Sequence, residues 1–480
     1  MNILEHHHFH LVGIKGVAMT ALAQCLIDAG KTVTGSDVAE KFVTQEILDR
    51  LPVEIHTGFT NTLPAGTECV IYTSAHNAQD NPQVQAALSQ NIPTLSHAEA
   101  LASLFNQKHG IAVCGVGGKS TTSAMITWIL EKAGLKSSFT IGVGNVPGLE
   151  KTGQWSEESK YFVAEADEYV TDPAGARRGE NFVPRFAYLK PFITVCTNLK
   201  FDHPDVYRDF EHTKEVYREF FNQIKPNGYL IVNGDDVELW TLAKEVGKKR
   251  SDIHVIRYGE AAHCDIQLRG YTSDNGVAIG NVFIADPFRI ELNLPGKFNM
   301  LNAVAALGVI YTLTHLEKEP IALDKSIQSL TSFRSTKRRS EFIGEKNGVK
   351  YYDDYAHHPS EVASIIKAFQ EWFPHQRVVV SFQSHTFSRT KELFSEFVDA
   401  LGQAQEIVMV DIFASAREAY DSSVSSDSLC LAIKDKYPAV TCQNLKTIDT
   451  LADWCHHTLK PGDIFLTVGA GDIYKVHDLI

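Results

Sequence analysis

The chain is 480 residues long, more than one hydrophobic core can serve, and domain-size considerations suggest two to four domains, with three the central expectation. With 44% hydrophobic and 21% charged residues it has an ordinary globular composition, and a net charge of −13 excludes the basic face of a nucleic-acid binder or membrane-surface protein. Eight cysteines without a Cys-x-x-Cys pair, no secretory signal and no apolar run of roughly 18 residues point to a reducing, cytoplasmic setting.

In chain order, the run His6-His7-His8 leads directly into a strand pattern at Phe9–Val12 and receives no function of its own. A helix is predicted over Val17–Ala29, then strands over Lys31–Thr34 and Cys69–Thr73, with a first boundary at the polar stretch Phe105–Gly110. The cycle restarts with a short buried-type strand, Ile111–Cys114, a glycine-rich turn, and a helix over Thr121–Lys132 stopped by Gly134. Strands follow at Tyr161–Ala164, Ile193–Thr197 and Tyr229–Val232. Short alternating segments between Asp265 and Leu294 read as an antiparallel subregion, and a helix spans Met300–Thr314. After the basic stretch Arg334–Arg339, a third alternating unit carries strands at Val349–Tyr352, Arg377–Phe382, Glu406–Val410 and Ile464–Val468. Alternation of this kind predicts α/β architecture.

The strongest local signal is Cys114-Gly115-Val116-Gly117-Gly118-Lys119-Ser120-Thr121-Thr122, set between strand and helix. Phosphate oxygens need backbone N–H groups close by, and glycine lets the main chain approach that tightly. The helix adds an N-terminal dipole of roughly half a positive charge. Lys119 supplies a mobile cation for the β- and γ-phosphates, and the Ser120 hydroxyl can ligate Mg²⁺. Two residues, Val116 and Gly117, separate the first glycine from the Gly-Lys pair where the common phosphate loop has four, so a glycine-rich turn with an incidental lysine is the competing reading.

Polar clusters recur at predicted strand ends. Glu165-Ala166-Asp167-Glu168 stands where ligands bind in an open α/β sheet and can complete a Mg²⁺ site with Ser120; alone, it would equally be a solvated acidic turn. Thr197-Asn198 leads to Asp202-His203. Asn299 either caps a helix or, with Asn302, reads an adenine edge. Asp353-Asp354-Tyr355-Ala356-His357-His358-Pro359, Ser384–Arg389 and Gly469-Ala470-Gly471-Asp472 follow the strands of the last unit.

Taken in order from Gly13 to Asp472, these motifs resemble those of the Mur ligases. The likeness rests on G-x-x-G-x-x-M (Gly13, Gly16, Met19), Gly35-Ser36-Asp37, G-x-x-G-K-[ST]-T-T, E-A-D-E, T-N…D-H, G-x-x-N-x-x-N, R-R, D-D-Y-x-H-H-P, F-Q-x-H…S-R-T-K and G-A-G-D-I. The resemblance implies three α/β domains. A Rossmann-like domain over 1–108 would bind the UDP-sugar, and a P-loop ATPase-like domain over 109–331, with a small antiparallel β subregion, would bind ATP. A Rossmann-like domain over 332–480 would close over ATP and amino acid. Gly13, Gly16, Ser36, Asp37 and Ser74 would hold the UDP-sugar, and Gly115, Val116, Gly117, Gly118, Lys119, Ser120 and Thr121 the ATP phosphates. Asn299 and Asn302 would face adenine, Asp354 the ribose and Arg338 a phosphate, while Tyr355, His385 and Arg389 would meet the amino acid. Ser120, Glu165 and His203 would serve Mg²⁺ or Mn²⁺, and Lys119, Glu165, His203, Arg338 and His357 would carry the catalysis. Lys214 is a candidate for the carbamylated lysine of some family members. The implied partners are UDP-N-acetylmuramate, ATP and L-alanine, with no nucleic acid and no membrane insertion, in a monomer or homodimer.

The chain also departs from the family pattern. Gly117 and Phe298 stand where histidines are usual, and Thr386 where the alanine-adding branch has an arginine suited to a carboxylate. The segment Tyr169–Lys190, with Arg177-Arg178, is longer than usual. E-A-D-E-Y and F-D-H are similar to the related ligase that returns murein tripeptide to UDP-N-acetylmuramate, which keeps a tripeptide open as the amine. Two readings from other classes remain: a non-catalytic nucleotide-binding protein, and a dinucleotide-dependent oxidoreductase built on Gly13, Gly16 and Asp37, with Lys15 at the second glycine position.

Overall fold

The computed structural model describes every residue except Met1, Asn181, Asn275, Ala285, 415–417 and Ala419, and the side chains of Asp274 and Asp286. Three sheets follow one another along the chain. The first is parallel, with His8–Val12 at its centre, Thr32–Asp37 and Glu54–Thr57 on one side, and Cys69–Tyr72 and Thr94–Ser96 on the other. Chain direction across the sheet switches between His8–Val12 and Cys69–Tyr72, the point at which open α/β sheets take ligands. Gly13 turns there with φ +85°, and a Cβ would stand 2.5 Å from Thr73 Cγ2, so glycine lets the two loops meet.

The second sheet has ten strands. Its parallel centre runs His254–Gly259, Tyr229–Asn233, Ile193–Cys196, His109–Cys114, Tyr161–Glu165 and Ser138–Thr140. Ile111, Val113, Val163, Ile193 and Val195 are fully buried, as parallel strands covered on both faces require. The expected antiparallel segments are Ile266–Asp274, Val277–Ile284 and Asp286–Leu292, and they extend this same sheet. Helix Lys297–Tyr311 is apolar nearly all round because it lies between the sheet and helix Lys119–Lys132. Counted with its last π turn, Lys297–Leu316, it is the one helix among the described residues long and apolar enough to cross a membrane, and 72% of that window is buried inside the protein.

The third sheet orders Glu341–Lys346, Val349–Asp354, Ile464–Val468, Val378–Phe382, Glu406–Met409 and Thr441–Asn444, parallel but for the first pair. One apolar core runs from the central sheet through Ile365, Ile366 and Phe369 into the third unit. A second joins Leu22, Leu26 and Phe105 of the first unit to Phe162 and Ala164 on the other face of the central sheet.

The first and second units are clasped by buried Gln24. Its Oε1 accepts from the N–H of Thr152 and Gly153 at 3.1 and 3.3 Å, and its Nε2 donates to Thr152 Oγ1 at 3.2 Å. Helix Val17–Asp28 comes so close that a Cβ on Gly153 would lie 1.9 Å from the Ala21 carbonyl oxygen. Gly153→Ala therefore has to push two backbones apart. A loss of about 1–3 kcal/mol is expected, read as a lower midpoint in urea denaturation.

Candidate active site

The phosphate loop is shaped by contacts that only glycine allows. Gly115 has φ +118°, and a Cβ there would sit 2.3 Å from Thr197 Oγ1; Gly118 has φ +88°, with a Cβ 2.5 Å from Asn302 Oδ1. The Gly117 peptide is held from both sides. Its carbonyl accepts from Thr197 Oγ1 at 2.5 Å and Asn198 Nδ2 at 2.9 Å, and its N–H donates to Asn198 Oδ1 at 3.2 Å. Thr197 and Asn198 thus pin the loop from the neighbouring strand, a role the T-N motif alone did not disclose.

Behind the loop lies a buried cluster of acids and cations. Lys119 Nζ donates to both Glu168 oxygens at 2.9 and 3.1 Å and to the Gly115 carbonyl at 2.8 Å. Burial alone would lower the Lys119 pKa, but Glu168, Asp167 and Glu165 outweigh it and keep the ammonium charged. Glu165 Oε2 accepts from Ser120 Oγ at 3.2 Å and Oε1 from the Gly142 N–H at 2.7 Å, while burial pushes its carboxyl up. Asp202 accepts from Arg389 Nη2 at 3.2 Å, across the boundary between the second and third sheets. Burial raises the Asp202 pKa, yet His203, Arg389 and His357 more than offset this and hold it well below the carboxylate range.

The expected metal group Ser120–Glu165–His203 divides in two. Ser120 and Glu165 are hydrogen-bonded to each other, whereas His203, at φ +59° in its loop, gathers with Glu168 and Asp202, their ligand atoms within 4.8 Å of one another. Both groups are rich in hard oxygen donors, which fits a divalent cation of the Mg²⁺ type. Lys214 belongs to neither. It lies on helix Phe210–Phe221, paired with Glu211 and Glu238.

Two cavities flank the cluster. The first, 470 Å³, is lined by Val116, Gly117, Gly118 and Thr121 of the loop and by Phe298, Asn299 and Asn302; the third unit contributes Arg339, Asp354 and Glu361. Burial pushes the Asp354 carboxyl up to about 6, and its oxygens accept from the N–H groups of Ser340 and Ala356 at 2.6 and 2.8 Å. The second, 390 Å³, is lined by His203 and Arg177 and, from the third unit, by Tyr355, His357, His385, Thr386 and Arg389. The segment Asp354–Glu361 separates them, with Asp354, Ala356 and Glu361 facing the first and Tyr355 and His357 the second. His357 donates from Nδ1 to the Tyr355 carbonyl at 3.0 Å, and burial, with Arg389, lowers its pKa, so the ring is neutral near pH 7.

Three expectations need correction. Arg338 does not face a phosphate: its Nε meets Asp353 at 3.0 Å, Nη1 and Nη2 meet the carbonyls of Gly471 and Gly469 at 3.0 and 2.6 Å, and Tyr355 and Tyr474 cover it. Its neighbour Arg339 lines the nucleotide-sized cavity instead. Ser36 and Asp37 are 0% and 1% exposed, the first bonded to Gln83 and the second to the N–H groups of Lys15 and Val38, so both side chains are spent inside the first unit. Gly13 is buried and Gly16 and Ser74 are half-buried, the Gly16 N–H donating to the Gly13 carbonyl. Ser74 Oγ accepts from Arg185 Nη2 at 2.7 Å, while Arg185 Nη1 holds Asp167 at 2.5 Å. No motif announces Arg185; it arrives from the long segment after E-A-D-E.

A phosphate loop facing a second α/β unit across buried acids and cations defines a nucleotide-dependent group-transfer enzyme. Three family descriptions match along the chain: "Mur ligase family, catalytic domain" over 8–109, "Mur ligase middle domain" over 113–310 and "Mur ligase, glutamate ligase domain" over 338–471. The chain belongs to the Mur ligase family. A UDP-N-acetylmuramate–L-alanine ligase from Clostridium tetani is 34% identical over 476 residues, covering 98% of this chain and 97% of its own. The solved UDP-N-acetylmuramate–alanine ligase of Thermotoga maritima superposes with a TM-score of 0.77 at 22% identity, over 98% of both chains. A murein peptide ligase from Psychrobacter arcticus gives 0.69 at 20% identity, over 98% of this chain and 97% of its own.

The two arginines separate experimentally. Arg338→Ala leaves Asp353 buried without its partner and is expected to cost roughly 3–5 kcal/mol in urea denaturation. Arg339→Ala is expected to leave stability within about 0.5 kcal/mol and to raise the KM for ATP. Asp202 gives a pH signature, because a depressed carboxyl stabilises above its unfolded value near about 3.9 and loses that contribution as pH falls. The stability gap between wild type and Asp202→Asn is expected to be flat from pH 7 to about 4 and to narrow below, followed by urea titration at each pH.

Proposed function

We propose that the chain is an ATP-dependent ligase joining L-alanine to the lactyl carboxylate of UDP-N-acetylmuramate, a step of peptidoglycan precursor synthesis in the cytoplasm. The supporting observation is that the cavity on the phosphate loop is lined from both units, by Gly117 and Gly118 on one side and Arg339, Asp354 and Glu361 on the other, and that the segment Asp354–Glu361 also lines the histidine-lined cavity beside His203. A full-length likeness to alanine-adding ligases stands beside it.

A carboxylate does not exchange oxygen for an amine at neutral pH. The γ-phosphoryl group of ATP passes to a carboxylate oxygen, giving ADP and an acyl phosphate. The amine nitrogen then attacks the carbonyl carbon; a C–N bond forms, the C–O bond to phosphate breaks, and the nitrogen sheds a proton. The loop N–H groups and Lys119 gather the phosphate charge, which is most of what phosphoryl transfer asks of a protein. Asn299, Asn302 and Phe298 bound the adenosine end, and Asp354 with Arg339 closes it from the third unit. Ser120 with Glu165, and His203 with Glu168 and Asp202, would hold Mg²⁺ or Mn²⁺, which when bound supplies charge neutralisation at the phosphates. His357, neutral and facing the second cavity, takes the amine proton.

Murein tripeptide is the second reading for the amine, because 390 Å³ is more room than alanine requires. ADP release with UDP-N-acetylmuramate decides between them. L-Alanine is expected to exceed glycine, L-serine and tripeptide in kcat/KM; tripeptide ahead of L-alanine reverses the choice of amine, and silence with all four removes the ligase reading. Lys119→Ala is expected to lower kcat by 10²–10³-fold with folding intact by circular dichroism.

A further inference from the structure

The acid that the proposed ligase activates is an anion, and it has to enter beside Glu165, Asp167, Glu168 and Asp202. A carboxylate brought among carboxylates is disfavoured unless a cation faces it. The approach also has two fixed ends. The first sheet takes ligands at its switch point, where Gly13 meets Thr73, and the reacting carboxylate has to arrive at the phosphate loop beside Lys119.

Arg185 stands between those ends. Its Nη2 donates to Ser74 Oγ at 2.7 Å, one residue beyond Thr73. Its Nη1 donates to Asp167 Oδ2 at 2.5 Å, one residue before the Glu168 that holds Lys119. The arginine opens the short 3-10 turn Arg185–Tyr188, and that turn is fixed by its own packing. The Arg185 N–H donates to the Tyr169 carbonyl at 2.9 Å, and the next residue, Phe186, is 1% exposed and stacks on Phe220 with ring centroids 4.3 Å apart. The guanidinium lies over the Tyr169 ring at 5.4 Å, yet 26% of the side chain remains open. A guanidinium carries five N–H donors in a planar fork that matches a carboxylate. The two bonds above engage one hydrogen on each Nη, so the Nε–H and the second hydrogen of each Nη have no partner among the described residues. A rigidly seated, partly open cation is thus placed on the path from the first unit to the loop.

We propose that Arg185 binds the lactyl carboxylate of the sugar nucleotide on its way to the phosphate loop, and so selects a UDP-sugar that carries an acid over one that does not. The assignment rests on the ligase reading above. Its test compares UDP-N-acetylmuramate with UDP-N-acetylglucosamine, the same sugar nucleotide without the lactyl ether, by isothermal titration calorimetry on wild type, Arg185→Gln and Arg185→Lys. Steady-state ADP release with ATP and L-alanine is followed on the same three proteins. Glutamine keeps a donor for Asp167 and removes the charge. Wild type is expected to bind the acid more tightly than its neutral relative. Arg185→Gln should raise the KM for UDP-N-acetylmuramate by roughly ten- to a hundred-fold, the range of one charge-assisted hydrogen-bonded contact. The KM values for ATP and L-alanine and the Kd for UDP-N-acetylglucosamine should be unchanged, and Arg185→Lys should recover part of the loss. A tie that merely holds the units together would instead lower the urea midpoint and leave the discrimination intact, which overturns the assignment. So does a wild type that binds both sugar nucleotides alike, or an Arg185→Gln variant that weakens both equally or neither. In those cases ADP release by wild type leaves the ligase reading standing; a wild type that neither binds UDP-N-acetylmuramate nor releases ADP overturns both.

Discussion

Charge compensation among buried acids is the constraint on which the site depends. Glu165, Asp167, Glu168 and Asp202 converge behind one phosphate loop, and a carboxylate removed from water costs several kcal/mol unless it is paired. Each finds a partner from a different direction: Lys119 from the loop's own helix, Arg185 from the long segment after the acidic motif, and Arg389 from the third unit. Ser120 and the Gly142 N–H serve Glu165. The arrangement is demanding because no single segment carries both signs. It forms only when strand ends, inserted segment and third unit arrive together, so electrostatics selects the same assembly that the apolar cores favour.

Packing and polar contact divide the labour between the two seams. At the first, helix Val17–Asp28 presses onto Gly153 and Gln24 satisfies the backbone it covers, with a continuous apolar cluster beneath. At the second, the polar tie between Arg389 and Asp202 stands beside the two cavities, and apolar contact runs through helix Pro359–Trp372. The second cavity therefore lies on the polar side of this seam, apart from its apolar core.

Much of this was legible in the residues, and the reasons for the rest are physical. The phosphate loop could be read because its glycines are dictated by close backbone approach, which Gly115 and Gly118 display. The alternation of strands and helices came through where four or five buried residues stood together, as at Ile193–Cys196 and Ile464–Val468. Gly153–Gln154 and Ser138–Thr140 are too short for a pattern to register, and Glu54–Thr57, at a sheet edge, lacks the buried apolar run of equally short strands such as Cys69–Tyr72. Arg338 and Arg339 are adjacent in a tight turn closed between Thr336 and Arg339, and nothing in a pair of arginines tells which one points inward. His203 was assigned to Glu165 on motif order, whereas a left-handed residue in its loop carries the ring to Glu168 and Asp202. Arg185 and Arg177 belong to no motif at all. Their partners Ser74 and Asp205 lie 111 and 28 residues away, a relation visible only once the chain is folded.

One glycine ties two distant positions together. A Cβ at Gly117 would stand 2.9 Å from Glu361 Oε1, so the carboxylate of the third unit rests in the space that a side chain on the loop would claim. A side chain at 117 would displace the Glu361 carboxylate, and a shorter residue at 361 would free room for one. The two positions thus compete for one small volume between the loop and the third unit.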